Sequence, residues 1–316
     1  MEERKRRRII LGIILVIAVS ACIAFSAEII GNISGQAYIS ENPGNSSGKY
    51  LIILNTQLPD EKDAVTLYKI NNTKADPEEI DDIAAFFGLK GELKDYIENT
   101  GEFIMTDGSD QKRQVSYYSR SGAVVYSVPD LEFPNTVEEQ PNLPYGDEAV
   151  DIADSFLKKT GMYEEESFVK TAGVNQKQQV WSGGSCPKES YNVTVAVSYA
   201  RELDGMPVYG DEFSVVIGDG GEVVGMTKNW REAEPFGDVA IKTAEDAYDD
   251  LCSRRTVSNL SIAGYDKIIV DNISLGYLME PRIYQQDELK PVYLFSGTAF
   301  SKGEERPYAE YVYASK

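Results

Sequence analysis

The chain contains no histidine. No Ser-His-Asp triad, Cys-His pair, HExxH zinc site or histidine general base can form within it. A metal site would have to use carboxylates alone, which favours Ca²⁺, and the sequence carries no D-x-[DN]-x-[DN]-G loop. The nearest candidates are Asp107-Gly108-Ser109-Asp110 and Gly218-Asp219-Gly220-Gly221. Both read as hairpin turns, because Asp-Gly and Gly-Gly supply the positive φ that such turns need. Tryptophan is confined to Trp181 and Trp230, and cysteine to Cys22, Cys186 and Cys252. Positive charge is also in deficit, with 31 Lys+Arg against 51 Asp+Glu and a formal charge of −20. Such a surface repels nucleic acid and anionic headgroups and keeps the protein soluble; it would suit a cationic partner. No cofactor and no nucleic-acid partner are expected.

What is present begins with the first 27 residues. Arg4, Lys5, Arg6, Arg7 and Arg8 directly precede an apolar run, Ile9 to Ala27. Cations followed by about one bilayer thickness of apolar helix predict a single membrane span, with the basic end in the cytoplasm and everything after Ala27 outside. The run reads as an uncleaved signal-anchor; a cleaved signal peptide is the alternative. Val19-Ser20-Ala21-Cys22 also resembles a lipobox, which makes Cys22 a candidate lipidation site, although Ile23-Ala24-Phe25 continues the apolar run past it. Outside the cell, Cys186 and Cys252 are candidates for one disulfide, with two buried thiols as the alternative. Asn32, Asn45, Asn71, Asn192, Asn259 and Asn272 head N-x-[ST] sequons and are candidate glycosylation sites.

The chain divides by composition. Residues 1–8 form the basic tail, 9–27 the anchor and 28–48 a Gly/Ser/Asn-rich linker. A first α+β unit spans 49–134. It has strand-like runs at 50–54 and 65–70, then a helix with Asp76 as N-cap, Pro77 at N1 and Glu79 at N3. Ile80, Ile83, Ala84 and Phe87 make its apolar stripe and Gly88 ends it; strands follow at 102–106, 113–119 and 123–128. Residues 135–144 are a second linker. A second unit, 145–235, repeats the plan: a helix over 147–160 with Ala149, Ile152, Ala153 and Phe156 on one face, then strands at 191–201, 212–217 and 222–230. The alternation from Tyr191 to Tyr199 is the strongest strand signal in the chain. A third unit, 236–316, expected to pack with the second, opens with Thr243 as N-cap and the stripe Ala244, Ala247, Tyr248 and Leu251. Its strands fall at 267–277, 291–296 and 308–314. Three successive helix-then-meander units predict an α+β fold of helices on antiparallel sheets.

The stretch Tyr199-Ala200-Arg201-Glu202-Leu203-Asp204-Gly205-Met206-Pro207-Val208-Tyr209-Gly210, with Phe213 to Gly225 after it, resembles the PepSY/FTP-type modules of thermolysin-like propeptides. There a Gly-x-Pro-Val-x-Gly turn joins two strands and a Gly-Asp-Gly hairpin follows. The part after the anchor, ending Leu289-Lys290-Pro291-Val292-Tyr293-Leu294-Phe295 and Tyr311-Val312-Tyr313-Ala314, also resembles the YycI/YycH group. Those are membrane-anchored extracytoplasmic regulators of a sensor histidine kinase. The resemblance implies modules that bind and inhibit, with no catalytic residues.

The function expected is therefore a non-catalytic, single-pass membrane protein whose extracytoplasmic part regulates a membrane sensor or an exported enzyme by protein contact. Tyr199, Tyr209 and Trp230 are the candidate partner-contact residues, and Tyr117, Tyr118, Tyr126 and Trp181 belong to the same class. A structural envelope glycoprotein and a free-standing propeptide-like protease inhibitor are the alternatives. A two-carboxylate hydrolase is a further one, for which no pair of acids stands out.

Overall fold

A computed structural model describes residues 39–40, 51–71, 77–108, 112–180, 186–258 and 265–316. The anchor Ile9–Ala27, Cys22, Asn32, Asn45, Asp76, Trp181 and Asn259 lie outside the described residues. Among the described residues no helix is long and apolar enough to cross a membrane.

The fold is α+β and dominated by strands. Along the chain, β1 (Ile39–Ser40), β2 (Leu51–Leu54) and β3 (Ala64–Ile70) precede helix α1 (Pro77–Phe86). A meander follows: β4 (Gly91–Ile97), β5 (Glu102–Asp107), β6 (Gln114–Tyr118) and β7 (Ala123–Ser127). The short α2 (Pro129–Glu132) and the longer α3 (Asp147–Lys159) come next. Then come β8 (Phe168–Val180), β9 (Glu189–Ala200), β10 (Glu202–Leu203), β11 (Met206–Tyr209), β12 (Glu212–Ile217), β13 (Val223–Asn229) and β14 (Ala233–Ala240). Helix α4 (Ala244–Cys252) and strands β15 (Lys267–Leu278), β16 (Glu288–Ser301) and β17 (Glu304–Tyr313) close the chain.

Where composition suggests three successive units, strand pairing produces two sheets. An eight-stranded sheet has the order β4-β5-β6-β7-β13-β12-β9-β8, so the first and second meanders join edge to edge through β7 and β13. A nine-stranded sheet has the order β1-β2-β15-β16-β3-β14, with β17 on β16, β11 on β15 and β10 on β11. The strands β2 and β3, adjacent in sequence to the first meander, thus belong to the sheet built by the C-terminal third. β2 and β11 both run parallel to β15, which makes this sheet mixed.

Each sheet has its own apolar core. In the eight-stranded sheet, Val115, Tyr117, Val124, Tyr126, Val195, Val197, Val215, Ile217 and Met226 form the inner face. Ile80 and Ala84 of α1 and Ala149, Ala153 and Leu157 of α3 cover it. Gly88, at φ +70, ends the α1 turn in the left-handed conformation. In the nine-stranded sheet, Ala244, Ala247, Tyr248 and Leu251 of α4 lie on Ile52, Ile268, Val270, Phe295 and Val312. The Thr243 hydroxyl accepts the N–H of Asp246 at 3.1 Å and caps α4. A fully buried leucine such as Leu157 or Leu251 contributes roughly 2 kcal/mol.

Candidate functional site

The two sheets meet where the chain leaves one and returns to it. After β9 it turns at Asp204 and Gly205, both at positive φ, and lays β11 against the end of β15 in the other sheet. It then reverses at Gly210 and re-enters the eight-stranded sheet as β12. The stretch that resembles a propeptide turn is, in this fold, the connection that ties the sheets together. Gly210 has φ +85, and a Cβ there would sit 2.3 Å from the carbonyl oxygen of Met279. The N–H of Met279 donates to the carbonyl of Tyr209 at 2.7 Å. Gly276 of β15 faces the same connection: a Cβ there would sit 2.4 Å from the Pro207 carbonyl oxygen and 2.5 Å from the Tyr209 ring.

A buried polar cluster fills this joint. Arg201 and Arg231 are each 2% exposed and Asn229 is fully buried. Arg201 donates through Nε and Nη2 to both carboxylate oxygens of Asp211, at 3.0 and 3.3 Å, and through Nη1 to the Arg231 carbonyl at 2.9 Å. Such a two-point guanidinium–carboxylate pair fixes orientation as well as charge. Arg231 lies at the end of β13 and organises the loop between β15 and β16. Its Nη2 donates to the carbonyls of Glu280, Pro281 and Tyr284 at 2.9 to 3.2 Å, and its Nη1 to Gln286 Oε1 at 2.8 Å. Gln286 in turn donates to the Leu278 and Glu288 carbonyls. Nearer the surface, Arg282 pairs with Glu212 across the sheets and stacks over Tyr118, 5.2 Å from its ring centre.

Burial pushes the Asp211 carboxyl up to about 6, against the pull of the Arg201 and Arg231 guanidinium groups. A folded-state value above the ordinary 3.8 means that the folded chain binds this proton more tightly than the unfolded one. This group therefore adds stability as pH falls from 7 through 6 toward 4, and that contribution is lost as pH rises. Comparing wild type with Asp211→Asn by urea unfolding across this range, the stability difference is expected to move in favour of wild type by about 2 kcal/mol toward low pH. A constant difference contradicts the assignment.

The three candidate contact residues flank this joint and face inward. Tyr199 is buried, stacks on Phe213 at 4.8 Å and donates its hydroxyl to Asp154 of α3 at 2.7 Å. Burial and the Asp154 hydrogen bond hold its hydroxyl far above the ordinary tyrosine value. Trp230 is half-buried against Phe213, with the Arg201 guanidinium 4.3 Å above its ring. Tyr209 is half-buried, donates to Ser274 at 2.8 Å and packs on Tyr311. All three hold the body together; Tyr199 in particular has no surface left for a partner. Tyr199→Phe is expected to cost about 2 kcal/mol, the range for a buried hydrogen bond to a carboxylate, read as a lowered urea midpoint with the far-UV spectrum unchanged. Tyr117, Tyr118 and Tyr126 are likewise buried in the eight-stranded sheet.

The cysteine pair is a correction. Cys186 is exposed on the β8–β9 connection of one sheet, whereas Cys252 is buried at the C-terminal end of α4 in the core of the other, and no disulfide joins them. The sequons divide as well: Asn71 and Asn272 are exposed, while Asn192 is half-buried and donates to the Tyr145 hydroxyl. Among the described residues no cluster of three Cys, Asp or Glu could hold a metal ion. Arg201, Asp211, Arg231 and Gln286, which define the joint, carry no sequence signal beyond lying at strand ends.

No protein-family model matches the sequence, PepSY and propeptide-type modules included, and no curated protein matches it. Among solved structures, that of YycH from Bacillus subtilis is similar at 13% identity and a TM-score of 0.37, over 85% of this chain. The chain spans 56% of the length of that protein.

Proposed function

We propose that this chain is a non-catalytic, membrane-anchored extracytoplasmic protein that regulates a membrane sensor or an exported enzyme by protein–protein contact. The basic cluster before the apolar run supports the location, and the lack of histidine supports the lack of chemistry. The observation that carries the reading is where the polar groups and the open surface lie. The buried guanidinium, carboxylate and amide groups are engaged in holding two sheets in one arrangement. The open surface includes strand edges, among them β14 with Phe236 67% exposed on its bulge. Such edges recognise extended segments of other chains by main-chain hydrogen bonds. The exposed sequon residues Asn71 and Asn272 favour a surface glycoprotein as the second reading.

Crosslinking the full chain in its native cells, followed by mass spectrometry of the adducts, tests the proposal. A recurrent sensor, transporter or peptidase adduct is expected. Adducts confined to bulk envelope components would favour the surface glycoprotein instead.

A further inference from the structure

We infer that the outer edge of β8 is a homotypic interface, at which two copies of this chain pair antiparallel about a two-fold axis through Thr171–Val174. β8 is the last strand of its sheet and, among the described residues, pairs only with β9. Natural edge strands are blunted by lysines, prolines and bulges. Here register shifts fall between Val169 and Thr171, between Val174 and Gln176, and between Gln176 and Lys177. Between them, Thr171, Ala172, Gly173 and Val174 match Ser198, Val197, Ala196 and Val195 one to one. This stretch carries no charge and no proline, Ala172 to Val174 are exposed, and no atom lies within 4 Å of where a Gly173 Cβ would sit. It is a regular open ladder within an otherwise irregular edge.

Charge identifies the occupant. The turn before β8 carries exposed Glu165 and Glu166, and the far end of β8 carries exposed Lys177. Antiparallel pairing centred between Ala172 and Gly173 sets Lys177 of each copy opposite Phe168 of the other, next to its Glu165–Glu166 turn. Phe168 and Val169, both exposed, gain cover at the two ends of the joint. A parallel arrangement would set like charge against like. With a net charge of −20 per chain, two copies repel one another in general, so this local match of sign selects the approach. The contact is isologous and closes on itself. It is small, so the dimer is concentration-dependent and weakened by salt.

Sedimentation velocity of the full chain in a neutral detergent, across a concentration series, tests this. The wild type is expected to pass from monomer to dimer, and K177E and E165K/E166K to weaken the dimer about tenfold or more. The combined E165K/E166K/K177E chain is expected to regain wild-type dimerisation, because each copy then carries the reversed match. These positions are exposed, so the variants keep the wild-type circular dichroism spectrum. A monomer at every concentration, a dimer indifferent to these substitutions, or a combined variant no better than its parents would overturn the inference. All three outcomes leave the regulatory reading intact, since contact with a different protein would register as adducts in the cellular crosslinking.

Discussion

Arg231→Met is expected to lower the stability of the folded protein by about 3–5 kcal/mol and to split its unfolding into two transitions. The first part follows from what Arg231 holds. Its guanidinium is 2% exposed and satisfies the carbonyls of Glu280, Pro281 and Tyr284 and the side chain of Gln286. Methionine approximates the volume but donates nothing, so these acceptors lose their partner in a dry site. Each buried acceptor left without a donor costs about 1–3 kcal/mol, so losing several together reaches about 3–5 kcal/mol, a large fraction of a total stability of about 5–15 kcal/mol. The second part follows from the two cores. The clusters under α3 and under α4 are separate, and the β11 connection together with its buried polar cluster joins them. Weakening the joint leaves each core to unfold at its own midpoint, which calorimetry resolves as two peaks in place of one. A variant that unfolds in a single transition at the wild-type temperature contradicts this view of the joint.

Gly210→Ala is expected to cost about 3 kcal/mol. Two costs act at one site. A left-handed backbone carries about 1–2 kcal/mol for any residue with a Cβ. The new methyl group would also lie 2.3 Å from the Met279 carbonyl oxygen, a backbone atom that cannot swing aside. To relieve the clash, β11 must move off β15, stretching the 2.7 Å bond from Met279 N–H to the Tyr209 carbonyl. Gly205→Ala is the internal control. Gly205 has φ +69 but no atom within 4 Å of its Cβ position, so only the backbone cost applies there. Urea unfolding of the two variants separates the terms. Equal losses would mean that the close approach at Gly210 contributes nothing.

The helices and central strands are legible in the sequence because their burial is one-sided and regular. Ile80, Ala84 and Phe87 are buried as their spacing predicts, and Ala244, Ala247, Tyr248 and Leu251 line one face of α4. In α3 the stripe is rotated slightly: Leu157 is fully buried, while Ile152 and Phe156 are only partly so. Alternation from Tyr191 to Tyr199 marks β9 for the same reason.

β8 and β14 carry no such signal. Both are edge strands, so exposed Lys170 in one and Glu234, Pro235 and Asp238 in the other are tolerated, while Gln178 of β8 donates to the Pro134 and Asn135 carbonyls. The choice of sheet for β2 and β3 is also invisible locally. It depends on contacts such as the Tyr277 hydroxyl donating to the Thr66 carbonyl at 2.6 Å, across 211 positions. The joint is the least legible part. Arg201 and Arg231 read as solvated charges after strand ends, and only the excursion of β11 into the other sheet buries them.

The proposed regulatory role depends on the folded part lying on the far side of the membrane, and Cys186 offers a direct measurement. It is exposed, whereas Cys252 is buried. Intact cells are treated with a membrane-impermeant maleimide, with Cys186→Ser as the control. The account predicts that Cys186 is labelled to the same extent before and after the cells are broken. Labelling that appears only after lysis would place the two-sheet body in the cytoplasm and contradict the account.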